Sequence, residues 1–467
     1  RKAIELNPDY ARAHSNLGTI LRNLGNLQEA ELSQRKAIEI KNDFAQAHCN
    51  LGNILRDLGK LKEAELSTRK AIELNPNFAE AYSNLGNILR DLDQLQDAEL
   101  STRKAIELNP DFAEAHRNLA EILKVFGNIK QAEASCRRAI KLNPRSEEAK
   151  LNLSLILLTT GKFKEGLENY ESRWKRKGVK KPFFTSTPEW TPNNKGKVLL
   201  WDEQGIGDKI LFASLIPELV EKVDQLIVQV DERLIPLFRR SFDKRIVYVH
   251  RNQISEENKY DFQISMGSLI KHLRTDKESF ETSKKIYLKV NERQSTIFKE
   301  KLSGSEHEKI VGISWKSTSK RNKGINLSLE KFLLGIYSPK IKFLCLQYGD
   351  IKEEIIKFRN KHRIKIEIIN EVDLFNDIDG LAALIGACDE IVSIDNVTLH
   401  LAGAIGIKTN ILLSNNCYWY HGINDKKSYW YPTVNFFRQK NPDEWDIPLK
   451  EIKNEIKINY QEEIKDS

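Results

Sequence analysis

Methionine is almost missing from this chain of 467 residues: Met266 stands alone, and the first residue is Arg1. The five cysteines, Cys49, Cys136, Cys345, Cys388 and Cys417, are scattered, odd in number and never spaced as CxxC. That pattern fits neither a disulfide framework nor a zinc site, and it points to a reducing compartment. The longest uncharged apolar run is LNLSLILL at 151–158, far short of the roughly 20 residues a membrane-spanning helix needs. No GxGxxG fingerprint and no GK[ST] phosphate loop occurs. Net charge is +8 with both signs interspersed, too mild to mark a nucleic-acid binder by itself.

What is present is enough apolar and charged residue, 40% and 30%, to build folded cores. The length implies about two to four domains of roughly 100–200 residues each. The strongest internal signal is a period of 34 residues. Leu17, Leu51, Leu85, Leu119 and Leu153 follow it, as do Ala30, Ala64, Ala98 and Ala132, with Gly166 in the same register. Within each unit two stretches of helical spacing flank a short polar turn, and Asn-Pro, as at Asn109-Pro110, stops the second helix. Each unit is thus a helical hairpin that buries its apolar face only by stacking on its neighbours. The opening RKAIELNP reads as the second half of such a unit, so the natural N-terminus and any leader are expected upstream.

The pattern resembles the tetratricopeptide repeat family, with units at 11–44, 45–78, 79–112, 113–146 and 147–180 after a partial unit at 1–10. The resemblance implies a solenoid with a concave groove for a protein partner. A second series, Asn16, Asn50, Asn84, Asn118 and Asn152, follows the same period and looks like the asparagine ladder in the repeats of O-GlcNAc transferases. A side-chain amide offers a donor and an acceptor together, which suits an extended peptide backbone; it equally suits holding repeat to repeat. His14, His48 and His116, two residues earlier in their units, read as groove or packing residues, not as a metal site.

Residues 181–196 read as a linker or docking segment, part of a stretch rich in Lys, Arg, Pro and Asn. Beyond it, aliphatic runs at 197–201, 225–230, 245–249, 309–315, 341–347, 364–369, 390–394 and 409–413 alternate with amphipathic segments. Buried strand alternating with helix predicts parallel sheets, in two doubly wound lobes at 197–305 and 306–447, with a C-terminal helix or tail at 448–467. Ligands of such sheets bind at the carboxyl ends of the strands. Four segments stand there. Gly205 and Gly207 lie in a strand-to-helix turn before Asp208, which reads either as a general base or as a helix cap. Lys316, Lys320, Arg321 and Lys323 crowd one loop, suited to a diphosphate. Gln347 and Tyr348 end a strand where a base or sugar hydroxyl would sit. Asp395, Asn396, Thr398 and His400 open a helix whose dipole favours a phosphate.

The spacing of GIGD, a W-K…K-G-I-N-L loop, LQYG, D-x-x-x-x-H-L-A-G-A-x-G and then WYP and FFRQ resembles the glycosyltransferase domain of bacterial tetratricopeptide proteins, related to the heptosyltransferases of GT-B fold. That resemblance implies an inverting, metal-independent transfer of sugar from a nucleotide-sugar donor to a protein or saccharide acceptor recruited in part by the repeats. It places Asp208 as the catalytic base, Lys323 near the donor phosphates, and Asp395 and His400 at the donor sugar and diphosphate. No cofactor or metal is expected, since the sole DxD of this half, DID at 377–379, opens a helix instead of ending a strand. Asn396 and Val397 stand where heptosyltransferases carry Thr or Ser then Gly, and Trp419-Tyr420 where repeat-containing relatives carry Trp-Arg. The expected location is the cytoplasm, with peripheral attachment to the inner membrane left open. A rival class is a repeat scaffold whose transferase domain is degenerate; fold alone does not choose between them.

Overall fold

The computed structural model describes residues 2–176, 179, 186–250, 260–281, 286–303, 309–317, 327–414, 417–441 and 444–465, with backbone alone at 281 and 457–465. The chain divides into two compact units, residues 1–156 with 175–177, and residues 157–174 with 178–467.

The first unit is all helical. Helices Ala11–Asn23, Ala45–Asp57, Ala79–Asp91 and Ala113–Val125 alternate with Leu27–Ile40, Leu61–Leu74, Leu95–Leu108 and Ile129–Leu142. The turn inside each hairpin needs a left-handed residue, supplied by Gly25, Gly59 and Gly127 and, in the third unit, by Asp93 at φ 65°. At Asn75, Asn109 and Asn143 the chain turns extended, as a residue before proline must, and the helix ends. Fully buried Ala30, Ala64, Ala98 and Ala132 let the helices of each pair approach. A Cβ built on Gly52 or Gly86 would fall 2.1 Å from the hydroxyl oxygen of Thr68 or Thr102, so those glycines are steric requirements.

The asparagine series does its work inside the array. Asn50 donates to Ser15 Oγ at 3.2 Å, Asn84 to Cys49 Sγ at 3.1 Å and Asn118 to Ser83 Oγ at 2.9 Å, each 35 residues back. Asn152 departs from the pattern and donates to Glu121 Oε1 at 2.8 Å. Asn16 is exposed, whereas Asn84 and Asn118 are buried. Of the two uses open to these amides, this geometry is that of fastening each repeat to the one before it. The histidines lock turns: His14, His48 and His116 each place Nε2 within 2.8–3.0 Å of a carbonyl six residues earlier.

The second unit begins within helix Glu147–Thr159 and takes in Phe163–Tyr170 and the turn Glu171–Trp174. It contains two wholly parallel sheets. The first, ordered β3-β2-β1-β4, uses β1 Lys197–Trp201, β2 Gln225–Gln229, β3 Val247–Val249 and β4 Phe262–Ser265. The second comprises β5 Lys309–Ser314, β6 Ile341–Cys345, β7 Ile366–Glu367, β8 Glu390–Ile394, β9 Thr409–Leu413 and β10 Val434–Arg438. Its order, β10-β9-β8-β5-β6-β7, is the 3-2-1-4-5-6 arrangement of doubly wound nucleotide-binding sheets. Central β5 and β8 are buried along their whole length, as strands covered on both faces must be. The core beneath this sheet closes with Trp445 and with Leu449, Ile452 and Ile456 of the C-terminal helix Asp446–Lys465. Trp190, within the expected linker, is fully buried, and its backbone N–H donates to Gln263 O at 2.9 Å, so this stretch docks on β4. Among the described residues no helix is long and apolar enough to cross a membrane.

Two substitutions test this account of the repeats by urea or thermal denaturation. Asp93→Gly should stabilise by about 0.5–1 kcal/mol, because glycine accepts positive φ without the cost an L side chain incurs. Gly86→Ala should destabilise by about 1–3 kcal/mol through the clash with Thr102.

Candidate functional site

The carboxyl edges of β1 and β8 each lead into a helix, Ile206–Ala213 and Val397–Ile405, and these two helices pack directly on each other. Gly207 makes the approach possible: a Cβ there would lie 2.6 Å from His400 Cδ2. The tight turn is not made by the glycines as expected. Gly205 has φ −83°, and the left-handed residue of this turn is Gln204 at φ 65°. Asp208 is not the N-cap itself: Gly205 holds that position, and Asp208, in the first turn of the helix, accepts the Gly205 backbone N–H through Oδ2 at 3.2 Å. The carboxylate also lies close enough to Tyr170, Tyr420 and Tyr431 to disfavour their ionisation, beyond the larger effect of burial. Lys209 is held by Asp202 at 2.5 Å.

Asn396 caps the second helix, accepting the Thr398 N–H at 3.0 Å. Its amide donates to Ser314 Oγ at 2.8 Å and Lys316 O at 3.3 Å, tying the end of β8 to that of β5. Gln347 completes this stitch and differs from expectation. Its Oε1 accepts from Ser314 Oγ, Trp315 N and Lys316 N at 3.1, 2.9 and 2.7 Å, and its amide donates to Tyr348 O at 2.9 Å. A carbonyl oxygen engaged three times is committed to the strand ends, so Gln347 does not project toward a ligand. Lys316 pairs with Glu354 at 2.7 Å. Lys320, Arg321 and Lys323 lie outside the described residues. Thr398 Oγ1, at the helix start, is buried without a hydrogen-bond partner.

Behind this edge sits a sealed polar cluster. His421 Nε2 lies 3.0 Å from Asp395 Oδ2, and both residues are 2% exposed. Burial alone would raise the Asp395 carboxyl, but His421, by charge and hydrogen bond, and His400 bring it below the usual range. His400 Nδ1 meets Tyr431 Oη at 3.1 Å, and its Nε2 is 3.9 Å from Asp395 Oδ1. Burial pushes its imidazole down to about 4 against the pull of Asp395, so it is neutral near pH 7. Tyr287 donates its hydroxyl to Ile210 O at 2.7 Å and bonds Tyr431. His421 and Tyr287 carry no local signal of strand-end position, whereas Tyr431 stands in the WYP element and Tyr420 in the Trp419-Tyr420 pair noted in the sequence.

No group of His, Cys, Asp or Glu arranged to hold a metal ion occurs among the described residues. In the DID segment Asp377 caps a helix through Gly380 N at 2.8 Å, and Asp379 pairs with Arg240. All five cysteines are buried and unbridged. Burial pushes the Cys49 and Cys136 thiols up to about 12, well away from thiolate chemistry.

Models of the tetratricopeptide repeat match residues 1–31, 45–78, 79–112 and 125–178, and these segments are tetratricopeptide repeats. Protein FlbA of Caulobacter vibrioides is 29% identical over 309 residues, which cover 62% of this chain and 51% of that protein. This chain therefore spans about half of that relative's length. Among solved structures, a thermophilic TPR protein of Thermus thermophilus is 21% identical, with TM-score 0.33, over 36% of this chain and 91% of its own. Pseudomonas aeruginosa PilF is 19% identical, with TM-score 0.35, over 45% of this chain and 85% of its own.

Two measurements probe the cluster. A histidine depressed by burial binds its proton more readily unfolded, so the protein should lose stability as pH falls from about 6.5 to about 4. The loss should be on the order of 2–3 kcal/mol by urea midpoint, and His400→Gln should flatten it over that window. Gly207→Ala should cost about 1–3 kcal/mol by forcing the two helices apart at His400.

Proposed function

We propose that residues 197–447 form a glycosyltransferase of GT-B type that moves a sugar from a nucleotide-sugar donor to an acceptor, by an inverting mechanism without a metal ion. The observation that carries this reading is the contact of Gly207 with His400. It sets Asp208, at the carboxyl edge of one parallel sheet, beside the start of the helix that follows β8 in the other. Sheets of this order bind ligands at that edge. In the reaction Asp208 takes the proton of an acceptor hydroxyl as its oxygen bonds the anomeric carbon, and the bond from that carbon to the diphosphate oxygen breaks. The departing diphosphate is stabilised by the helix start at Thr398 and by Lys323, while His400, its Nδ1 engaged by Tyr431, lies beside that helix start against Gly207. Asp395 and Asn396 hold that helix start in place, and the repeats recruit a protein or saccharide acceptor.

A second reading, a repeat scaffold with a degenerate transferase domain, is favoured by the inward commitment of Gln347 and Asn396 and by the 2% exposure of His400. Release of free nucleoside diphosphate from ADP-, GDP-, UDP- and dTDP-sugars decides between them. The transferase reading expects one donor to turn over, EDTA to leave the rate unchanged, and Asp208→Asn to lower it by roughly a hundredfold or more while donor binding persists. Absence of turnover with every donor and candidate acceptor selects the scaffold.

A further inference from the structure

The repeat register breaks at residue 170. Gln34, Thr68, Thr102 and Cys136 occupy that register in earlier units, where the threonines lie against a glycine of their own hairpin; in the last unit it carries Tyr170. The ring of Tyr170 packs edge-on against Trp419, centroids 6.2 Å apart, and its hydroxyl accepts from Gln204 Nε2 at 2.9 Å. Gln204 is the left-handed residue of the turn that ends at Asp208.

Three residues on, Arg173 grips the same turn. Its Nε and Nη2 donate to the two carboxylate oxygens of Glu203 at 3.0 and 2.8 Å, a bidentate pair whose side chains are 7% and 1% exposed. Nη2 also donates to Ser268 Oγ at 2.7 Å and Nη1 to Tyr170 O at 3.1 Å. The guanidinium stacks over the Tyr170 ring at 4.3 Å and the Trp174 ring at 4.7 Å. Glu203 accepts a third bond, from Gly267 N at 2.8 Å. A charge-assisted, two-point contact fixes direction as well as distance.

We infer that Tyr170 and Arg173 are positioning residues for Asp208, so that the second helix of the last repeat completes the acceptor side of the transferase site. Arg173 fixes Glu203, and Tyr170 holds Gln204 in its left-handed conformation. That conformation aims the Gly205 N–H at Asp208 Oδ2. If Gln204 relaxes to negative φ, this donor swings away and the carboxylate loses a bond that orients it and favours its ionised form. The inference rests on the transferase reading and adds to it a role for residues of the repeat segment.

The test is steady-state kinetics of the full chain with the donor that turns over. Tyr170→Phe keeps the ring and removes only the acceptor oxygen. It should lower kcat by roughly tenfold to a hundredfold with donor KM within about twofold, since a misaimed base is costly while the donor site is untouched. The rising limb of the pH–rate profile should move to higher pH as Asp208 loses its N–H partner, with the melting temperature little changed. Gln204→Ala, which removes the anchored amide and disfavours positive φ, should give a similar loss, and adding Tyr170→Phe to it should cost nothing further, because both act through the same turn. The charge pair is checked by Arg173→Lys, which keeps the charge and loses the fork; it too should lower kcat in its folded fraction. Wild-type turnover with an unshifted pH limb and unchanged kcat in Tyr170→Phe would overturn this inference alone. A wild-type chain that turns over no donor removes the transferase reading and this inference with it.

Discussion

A charged side chain can be sealed from water only where other groups replace its hydration, and Arg173 meets that demand in full. The carboxylate of Glu203, the hydroxyls of Ser265 and Ser268, the carbonyl of Tyr170 and two aromatic faces surround it. Each of those groups is thereby fixed as well: Glu203 at the end of β1, the two serines at the end of β4, Tyr170 and Trp174 on the segment between. Losing the cation would leave Glu203 charged and unpaired at the floor of the turn, so the carboxyl edge of the first sheet depends on this one residue.

The same rule, applied to neutral groups, organises the array. Asn84 and Asn118 are buried, and each replaces lost water with a neighbour one repeat back. Because that bond is always made to the adjacent unit, stability passes from repeat to repeat and no central core is needed. Exposed ion pairs, Arg22 with Asp57 and Arg56 with Asp91, follow the same spacing on the surface. They sit in water and add little beyond register.

The sequence discloses the helical hairpins almost to the residue, because self-similarity at a period of 34 residues overdetermines them. Central strands are equally legible: β1, β8 and β9 coincide with their aliphatic runs. The edges are not. The run at 245–249 shrinks to β3 Val247–Val249, that at 364–369 to β7 Ile366–Glu367, and β4 and β10 have no counterpart among the expected strands. All four are the outermost strands of their sheets and only partly buried along their length, where the hydrophobic pattern is weakest. In the site, Asp208, Asp395 and His400 were legible because a strand end and a helix start mark them locally. His421 and Tyr431 enter from 26 and 31 residues beyond their partners, and no local pattern announces such a pairing. Gln347 is legible as a strand-end residue but not in its direction, since the three donors that claim it stand at the end of β5 and just past it.

Charge balance at the second sheet's edge follows from these commitments. Asp395 keeps its negative charge inside the cluster, while burial holds His400 neutral. Neither offsets an incoming diphosphate. Lys209 is neutralised by Asp202 and Lys316 by Glu354. The helix start at Asn396 offers a partial positive charge only, equivalent to about half an elementary charge, with one of its N–H groups already taken by the cap. The transferase reading therefore needs a countercharge for the diphosphate that neither Lys209 nor Lys316 supplies, whereas the scaffold reading makes no such demand.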